Sequence, residues 1–184
     1  FIVIGANPTN AHPVTGAKIK QQVMKGKKLI VLDQVTTDLA KLADYHIKLR
    51  PGTNVAVLNM MLHFIIKSKL YNADFVRDRT EGFDNFLKEI ERQDVDHLAK
   101  VAGVDKQMVK EAAIAYATAK NSMEFHGLGV TEQEQGSKTV MLIADLAMIT
   151  GNIGRKGVGV NPLRGQNNVQ GAADMGCQPH QGAG

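Results

Sequence analysis

Two short apolar runs, each closed by a turn former and separated by one helix, constrain the fold more than any other feature of this chain. Phe1-Ile2-Val3-Ile4 stops at Gly5, and Lys28-Leu29-Ile30-Val31-Leu32 stops at Asp33. Runs this short, rich in β-branched residues, read as buried parallel strands. Between them lies the loop Gly5-Ala6-Asn7-Pro8-Thr9-Asn10, and Pro13 then opens a helix that runs to Gly26. Val14, Ala17, Ile19 and Val23 form its expected apolar side. A strand, a helix and a second strand in this span predict a right-handed βαβ crossover.

Such a crossover fixes where a ligand binds. Strand C-termini and the helix N-termini facing them form the crevice in which open α/β sheets hold nucleotides. Gly5 to Asn10 and Asp33 fall at neighbouring strand ends, where the Asp33 carboxylate is placed to accept hydrogen bonds from ribose hydroxyls. The fingerprint GxGxxG is absent, which disfavours an ordinary NAD site. A plain turn residue is the competing reading of Asp33.

The pattern continues. A short helix is expected over 36–44, then a strand Tyr45-His46-Ile47-Lys48-Leu49 with Tyr45, Ile47 and Leu49 on one face. Arg50-Pro51-Gly52-Thr53-Asn54 is a third post-strand turn, and Asn54 caps an apolar helix over 55–68. Helices over 73–79, 83–92, 95–101 and 105–119 follow, the last with Val109, Ala112, Ala113 and Tyr116 as its apolar stripe. No chemistry is read in that region. His63 and His97 lack ligand-spaced partners and are expected to be structural. Ser122-Met123-Glu124-Phe125-His126 returns as a strand, followed by the loop Gly127-Leu128-Gly129-Val130-Thr131 and a helix over 133–149. The expected fold is α/β, a parallel sheet flanked by helices, over residues 1–160.

Composition narrows the function classes. Hydrophobic residues make up 43% and charged residues 22%, ordinary for a globular domain. No apolar run approaches the ~20 residues of a membrane span, so direct membrane insertion is not expected. The single cysteine, Cys177, excludes an internal disulfide or a four-cysteine cluster, and is expected to be a small structural thiol. The net charge of +4 is concentrated in the N-terminal third. With few aromatics and no stacking platform beside them, the lysines at 18–28 read as a solvated helix face, not a nucleic-acid site.

Residues 161–176, Asn-Pro-Leu-Arg-Gly-Gln-Asn-Asn-Val-Gln-Gly-Ala-Ala-Asp-Met-Gly, stand apart. The run is too polar for a strand and too broken by glycine for a helix, so an ordered loop is expected. Carboxamides carry both donors and acceptors and suit a large polar ligand. Arg164 is the one cation among them, and its planar fork matches a carboxylate. A solvated surface loop is the competing reading.

This run, with Gly151-Asn152-Ile153-Gly154 and Gly157-Val158-Gly159-Val160 before it, resembles the catalytic subunit of molybdopterin-dependent formate dehydrogenases. The resemblance extends from Gly5-Ala6-Asn7-Pro8-Thr9 through Pro51-Gly52-Thr53-Asn54 to the end of the chain. It implies oxidation of formate to CO2 at a molybdenum or tungsten centre carried by two molybdopterin guanine dinucleotides, with electrons passed to an iron–sulfur subunit or other redox partner. It also implies cofactor contacts at Gly5, Asn7, Pro8, Asp33, Pro51, Gly52 and Asn54, and pterin contacts at Gly127, Leu128 and Gly129. Arg164 would face formate, with Gln166 completing the polar wall.

Many members of the wider superfamily carry aspartate, which reads guanine, where Asn54 stands. In this family no residue of the chain, His126 included, is needed as a metal ligand. The [4Fe–4S] cysteines, the cysteine or selenocysteine on the metal and its neighbouring histidine would precede residue 1. Phe1 enters in mid-strand and residues 178–184 stop in a loop, so an internal segment, inactive alone, is expected. Its domain would span 1–160, with 161–184 an active-site loop leading into the next domain. Two alternatives stay open: another oxidoreductase of the superfamily, such as a nitrate reductase, and a non-catalytic nucleotide-binding module.

Overall fold

A computed structural model describes residues 1–178, 180 and 182. Pro179, Gln181, Ala183 and Gly184, at the end of the expected active-site loop, lie outside the described residues.

The chain runs β1 (Ile2–Ile4), α1 (Pro8–Ala11), α2 (Pro13–Met24), β2 (Ile30–Leu32), β3 (Tyr45–Ile47) and α3 (Asn54–Lys67). Four helices follow, α4 (Ala73–Arg79), α5 (Phe83–Glu91), α6 (Val95–Ala102) and α7 (Lys106–Thr118). It then returns through β4 (Met123–His126), α8 (Leu128–Thr131), α9 (Gly136–Ile149), β5 (Gly159–Pro162) and α10 (Val169–Asp174). The strands form one parallel sheet in the order β3-β2-β1-β4-β5, as an α/β chain of this pattern should. Strand order reverses between β1 and β4, so loops that leave in opposite directions part there.

Alternation along the strands sorts the core onto two faces. Ile2, Ile4, Ile30, Leu32 and Ile47 pack with the apolar sides of α3, α7 and α9. Val3 and Val31 point the other way, onto Ile19 of α2 and Leu39. Helix α3 lies at the centre of the larger face, with Val57, Leu58, Met60, Met61, Leu62 and Ile65 removed from solvent. That burial holds its N-terminus, Asn54, at the strand C-termini.

Several expectations need correction. The helix expected over 36–44 is only a 3₁₀ turn, Ala40–Leu42. Asp33 Oδ1 accepts from Val35 N and Thr37 Oγ1 from Ala40 N, and such side-chain bonds compete with helix. On α2, Val14 and Ala17 face solvent, and Gly16 and Ile19 are its buried residues. The helix expected from residue 133 starts at Gly136, after the single turn α8.

The polar run is not wholly a loop. Asn161 and Pro162 belong to β5, where Asn161 Nδ2 donates to the Glu124 carbonyl, and residues 169–174 form α10. An edge strand needs only one paired side, so polar residues are tolerated there. Cys177, expected as a packed thiol, is exposed.

One core feature was not anticipated. Glu124 pairs with Ile2 across the sheet and so points into the α3 face, where it is fully buried. Tyr116 Oη of α7 donates to Glu124 Oε1, while Oε2 has no partner among the described residues. Burial pushes the Glu124 carboxyl up to about 8, against the opposing pull of the tyrosine hydrogen bond.

The neutral acid is therefore the form the fold accommodates. Its folded-state value lies above the ordinary 4.5, so this stability is complete below that value and is lost as pH rises toward about 8. Denaturant titrations should show stability falling through this window by up to ~1.4 kcal/mol per pH unit. Glu124→Gln, uncharged and still able to accept from Tyr116, should flatten the slope. An unchanged slope in that variant would assign the pH dependence to another group.

Candidate functional site

The C-terminal ends of β1 and β4 meet almost without clearance. Gly127 N donates to Ile4 O at 3.2 Å and Gly129 N to Gly5 O at 3.0 Å. Gly5 has φ of +51°, and a Cβ there would lie 2.7 Å from the Gly129 carbonyl carbon. A Cβ on Gly129 would lie 2.8 Å from Gly5 Cα. Only glycine supplies both the conformation at residue 5 and this approach. The crossing separates the strand-end surface into two halves.

On the β1–β2–β3 side is an open cavity of about 140 Å³. It brings together Gly5, Asn7, Asp33, Pro51, Gly52, Asn54 and Gly129 of the residues expected from sequence. Asp33 is half-buried, and burial raises its carboxyl above the usual range while the Val35 N–H pulls the other way. Asp33 Oδ2 makes no hydrogen bond among the described residues, and its main-chain carbonyl lies 3.1 Å from the His46 ring Nε2. Asn54, nearly buried at the start of α3, donates from Nδ2 to Gly129 O at 3.3 Å and so ties the helix to the loop after β4. Thr53 gives α3 no side-chain cap, which leaves first-turn N–H groups without that partner where Asn54 lines the cavity.

Ala6, Gln34, Leu49, Arg50 and Gln133 also line the cavity and were not among the expected contact residues, although Ala6 and Arg50 lie in the loops expected at its edge. Gln34 and Arg50 sit beside residues already singled out and were recoverable from strand-end position. Arg50 is fixed by donating to the carbonyls of Lys100 and Val101. Gln133 carried no signal, because it reaches the cavity only through the turn made by α8.

Pro8, Gly127, Leu128, Arg164 and Gln166 do not line this cavity. Pro8 is buried at the first position of α1. Gly127 packs against Ala6, where a Cβ would meet that of Ala6 at 3.0 Å. Leu128 belongs to the other half, over β4 and β5, where its Cδ1 would lie 2.8 Å from a Cβ on Gly165. Arg164 stands there, exposed, one residue after Leu163, whose N–H donates to His126 O at 2.7 Å. No carboxylate pairs with its guanidinium among the described residues. Gln166 is exposed and makes no side-chain hydrogen bond among them. His126 is buried beneath this half, its Nδ1 without a partner among the described residues. Burial first, and then the Arg164 charge, lower its pKa and keep the ring neutral.

Two neighbouring regions thus differ in chemistry. The cavity offers a free carboxylate oxygen, carboxamides and an uncapped helix N-terminus, a donor and acceptor set that fits a nucleotide. At about 140 Å³ it falls below the ~300–1,000 Å³ of a pocket that encloses a whole ligand, so it would take one end of a long one. The β4–β5 side offers an unneutralised guanidinium over a neutral histidine, suited to a small anion.

The chain matches the family model described as molybdopterin oxidoreductase over residues 1–183. It is 43% identical over 180 residues to the F420-dependent formate dehydrogenase subunit alpha of Methanocaldococcus jannaschii, covering 98% of this chain and 27% of that protein. It is 44% identical over 177 residues to formate dehydrogenase H of Escherichia coli, covering 96% of this chain and 25% of that protein. It therefore spans about a quarter of the length of these curated relatives. Among solved structures, acetylene hydratase from Pelobacter acetylenicus superposes with a TM-score of 0.78 at 27% identity, over 85% of this chain and 22% of that one. Fold and sequence agree: the chain belongs to the molybdopterin oxidoreductase family.

Proposed function

We propose that this chain is the cofactor-binding and substrate-orienting segment of a formate dehydrogenase that reversibly converts formate to CO2, two electrons and a proton. The observation that carries the reading is Arg164, exposed and unpaired among the described residues, just past β5 on a backbone tied through Leu163 to the end of β4. Its similarity to the formate dehydrogenases from Methanocaldococcus jannaschii and Escherichia coli supports it.

The cofactor in this reading is molybdopterin guanine dinucleotide, two per subunit, with molybdenum or tungsten supplying the two-electron chemistry when bound. Asp33 Oδ2 would accept from ribose hydroxyls, and the α3 N-terminus with Pro51, Gly52 and Asn54 would face the guanosine diphosphate end. Gly5, Asn7 and Pro8 would follow the phosphates. Gly127, Leu128 and Gly129 would lie along the pterin. Arg164 would hold the formate carboxylate through two parallel N–H bonds, with Gln166 beside it. The metal ligand and a [4Fe–4S] cluster would come from residues outside this chain, with a redox partner taking the electrons. The isolated segment would bind but not turn over; formate-dependent dye reduction by the segment alone would contradict this.

Formate has no apolar part, so its binding rests on a few charged contacts, each contributing ~1.5–3 kcal/mol. Arg164→Ala in the native protein should lower kcat/KM by at least ~10-fold with metal content unchanged. Arg164→Lys, which keeps charge but loses the fork, should fall between. Wild-type kcat/KM in fully metallated Arg164→Ala enzyme would remove Arg164 from substrate recognition. For the nucleotide half, titration calorimetry of cofactor-free protein should give tighter binding of GDP than of ADP. Equal affinities would withdraw the guanine assignment.

A further inference from the structure

We propose that His12 is a positioning residue for Arg164, donating from Nε2 to the Arg164 carbonyl at 2.7 Å and so setting where the guanidinium stands. The proposal rests on Arg164 being the formate-binding residue, as read above.

His12 is held firmly enough to act this way. It stands at the junction of α1 and α2, with φ of −139° and ψ of 65°. Its N–H donates to Pro8 O at 3.0 Å, and its carbonyl accepts from Gly16 N at 2.9 Å. Pro13, the next residue, has its own φ locked and restricts the backbone of His12 before it. Helix α2 is seated directly on α1, because a Cβ on Gly16 would lie 2.8 Å from Pro8 O and from Thr9 Cα. The backbone under the ring is therefore fixed on both sides. The ring makes no other hydrogen bond among the described residues. Its acceptor is a carbonyl, so Nε2 carries the hydrogen, and the neutral ring in that tautomer and the imidazolium both donate.

Arg164 needs such an anchor. Sheet pairing ends at β5, and Leu163 N–H to His126 O is the last bond that joins this stretch to the sheet before α10. Gly165, packed against Leu128, steadies the following residue. His12 supplies the hold from the β1 side, 152 residues away in sequence. A guanidinium on a long stem gains precision only if its Cα is fixed, and a displacement of ~1 Å at a reacting group costs up to ~100-fold in rate.

The test uses the native protein that carries this chain. His12→Leu removes the donor at similar bulk, and His12→Gln restores an N–H at similar reach. If His12→Leu does not fold, His12→Asn, whose shorter amide falls short of the carbonyl, takes its place. In cofactor-free protein, hydrogen–deuterium exchange over residues 163–168 should rise about 5-fold in His12→Leu and return in His12→Gln. In loaded enzyme, the formate KM should rise about 3- to 10-fold in His12→Leu, with a smaller change in kcat and recovery in His12→Gln.

Unchanged exchange in the donor-less variant overturns the tether. Faster exchange with wild-type formate kinetics, beside an impaired Arg164→Ala, overturns the positioning role and leaves the reading of Arg164 standing. Wild-type kinetics in Arg164→Ala as well removes that reading and the positioning role with it.

Discussion

The candidate site depends on the approach of β1 and β4 at their C-terminal ends. Gly5 and Gly129 place main chain against main chain, and Asn54 at the head of α3 joins the contact by donating to Gly129 O. The hydrogen bonds that continue the β1–β4 ladder past Ile4 and His126 run through this point. A side chain at either glycine would spread the ends and strain that ladder. The same contact draws the line between the cavity over β1–β3 and the arginine half over β4–β5. Sheet order determines the division, since strand order reverses there.

Strand β4 carries an unusual load for its position. Glu124 and His126 lie in register with Ile2 and Ile4 and so face the apolar α3 side. Burying such groups is tolerated when they are neutral and hydrogen-bonded, and each departure costs free energy. Glu124 meets this through Tyr116 and its raised pKa. Around the start of β4, Asn152 Oδ1 accepts from Ser122 N and from Arg155, and Ser122 Oγ donates to Tyr116 O. These bonds tie the α7–β4 turn to the segment that enters β5. The strand that positions the Gly127–Gly129 loop is thus bound laterally by polar contacts as well as by the sheet.

Much of the cavity was legible in the sequence, and for a single reason. Gly5, Asn7, Asp33, Pro51, Gly52 and Asn54 each follow an apolar strand, and a parallel sheet brings all such positions to one edge. Features set by pairing or packing were not legible. Gly159–Pro162 lacks strand character and becomes β5 because β4 offers it an unpaired edge. The Tyr116–Glu124 pair joins a residue read as apolar stripe to one read as a strand position, and neither carries a polar signal alone. The tether from His12 to Arg164 O depends on a separation that no local pattern encodes. On α2, Val14 and Ala17 obeyed the helical period, yet the sheet met the side carrying Gly16 and Ile19.

The location of Arg164 follows from its charge. An unneutralised guanidinium is too costly to bury, so it cannot stand within the two-sided core. It lies just past the end of the edge strand β5, a place that gives solvent access but no longer the support of strand pairing. Order therefore comes through the backbone around it: the Leu163 amide on His126 O, the Arg164 carbonyl on His12, and Gly165 against Leu128. His126 beneath it is kept neutral by burial and by the arginine's own charge. A second cation there would repel the first across a poorly solvated gap. Holding that ring neutral leaves the local positive charge centred on the guanidinium, whose planar fork has the geometry to bind a carboxylate in a defined orientation.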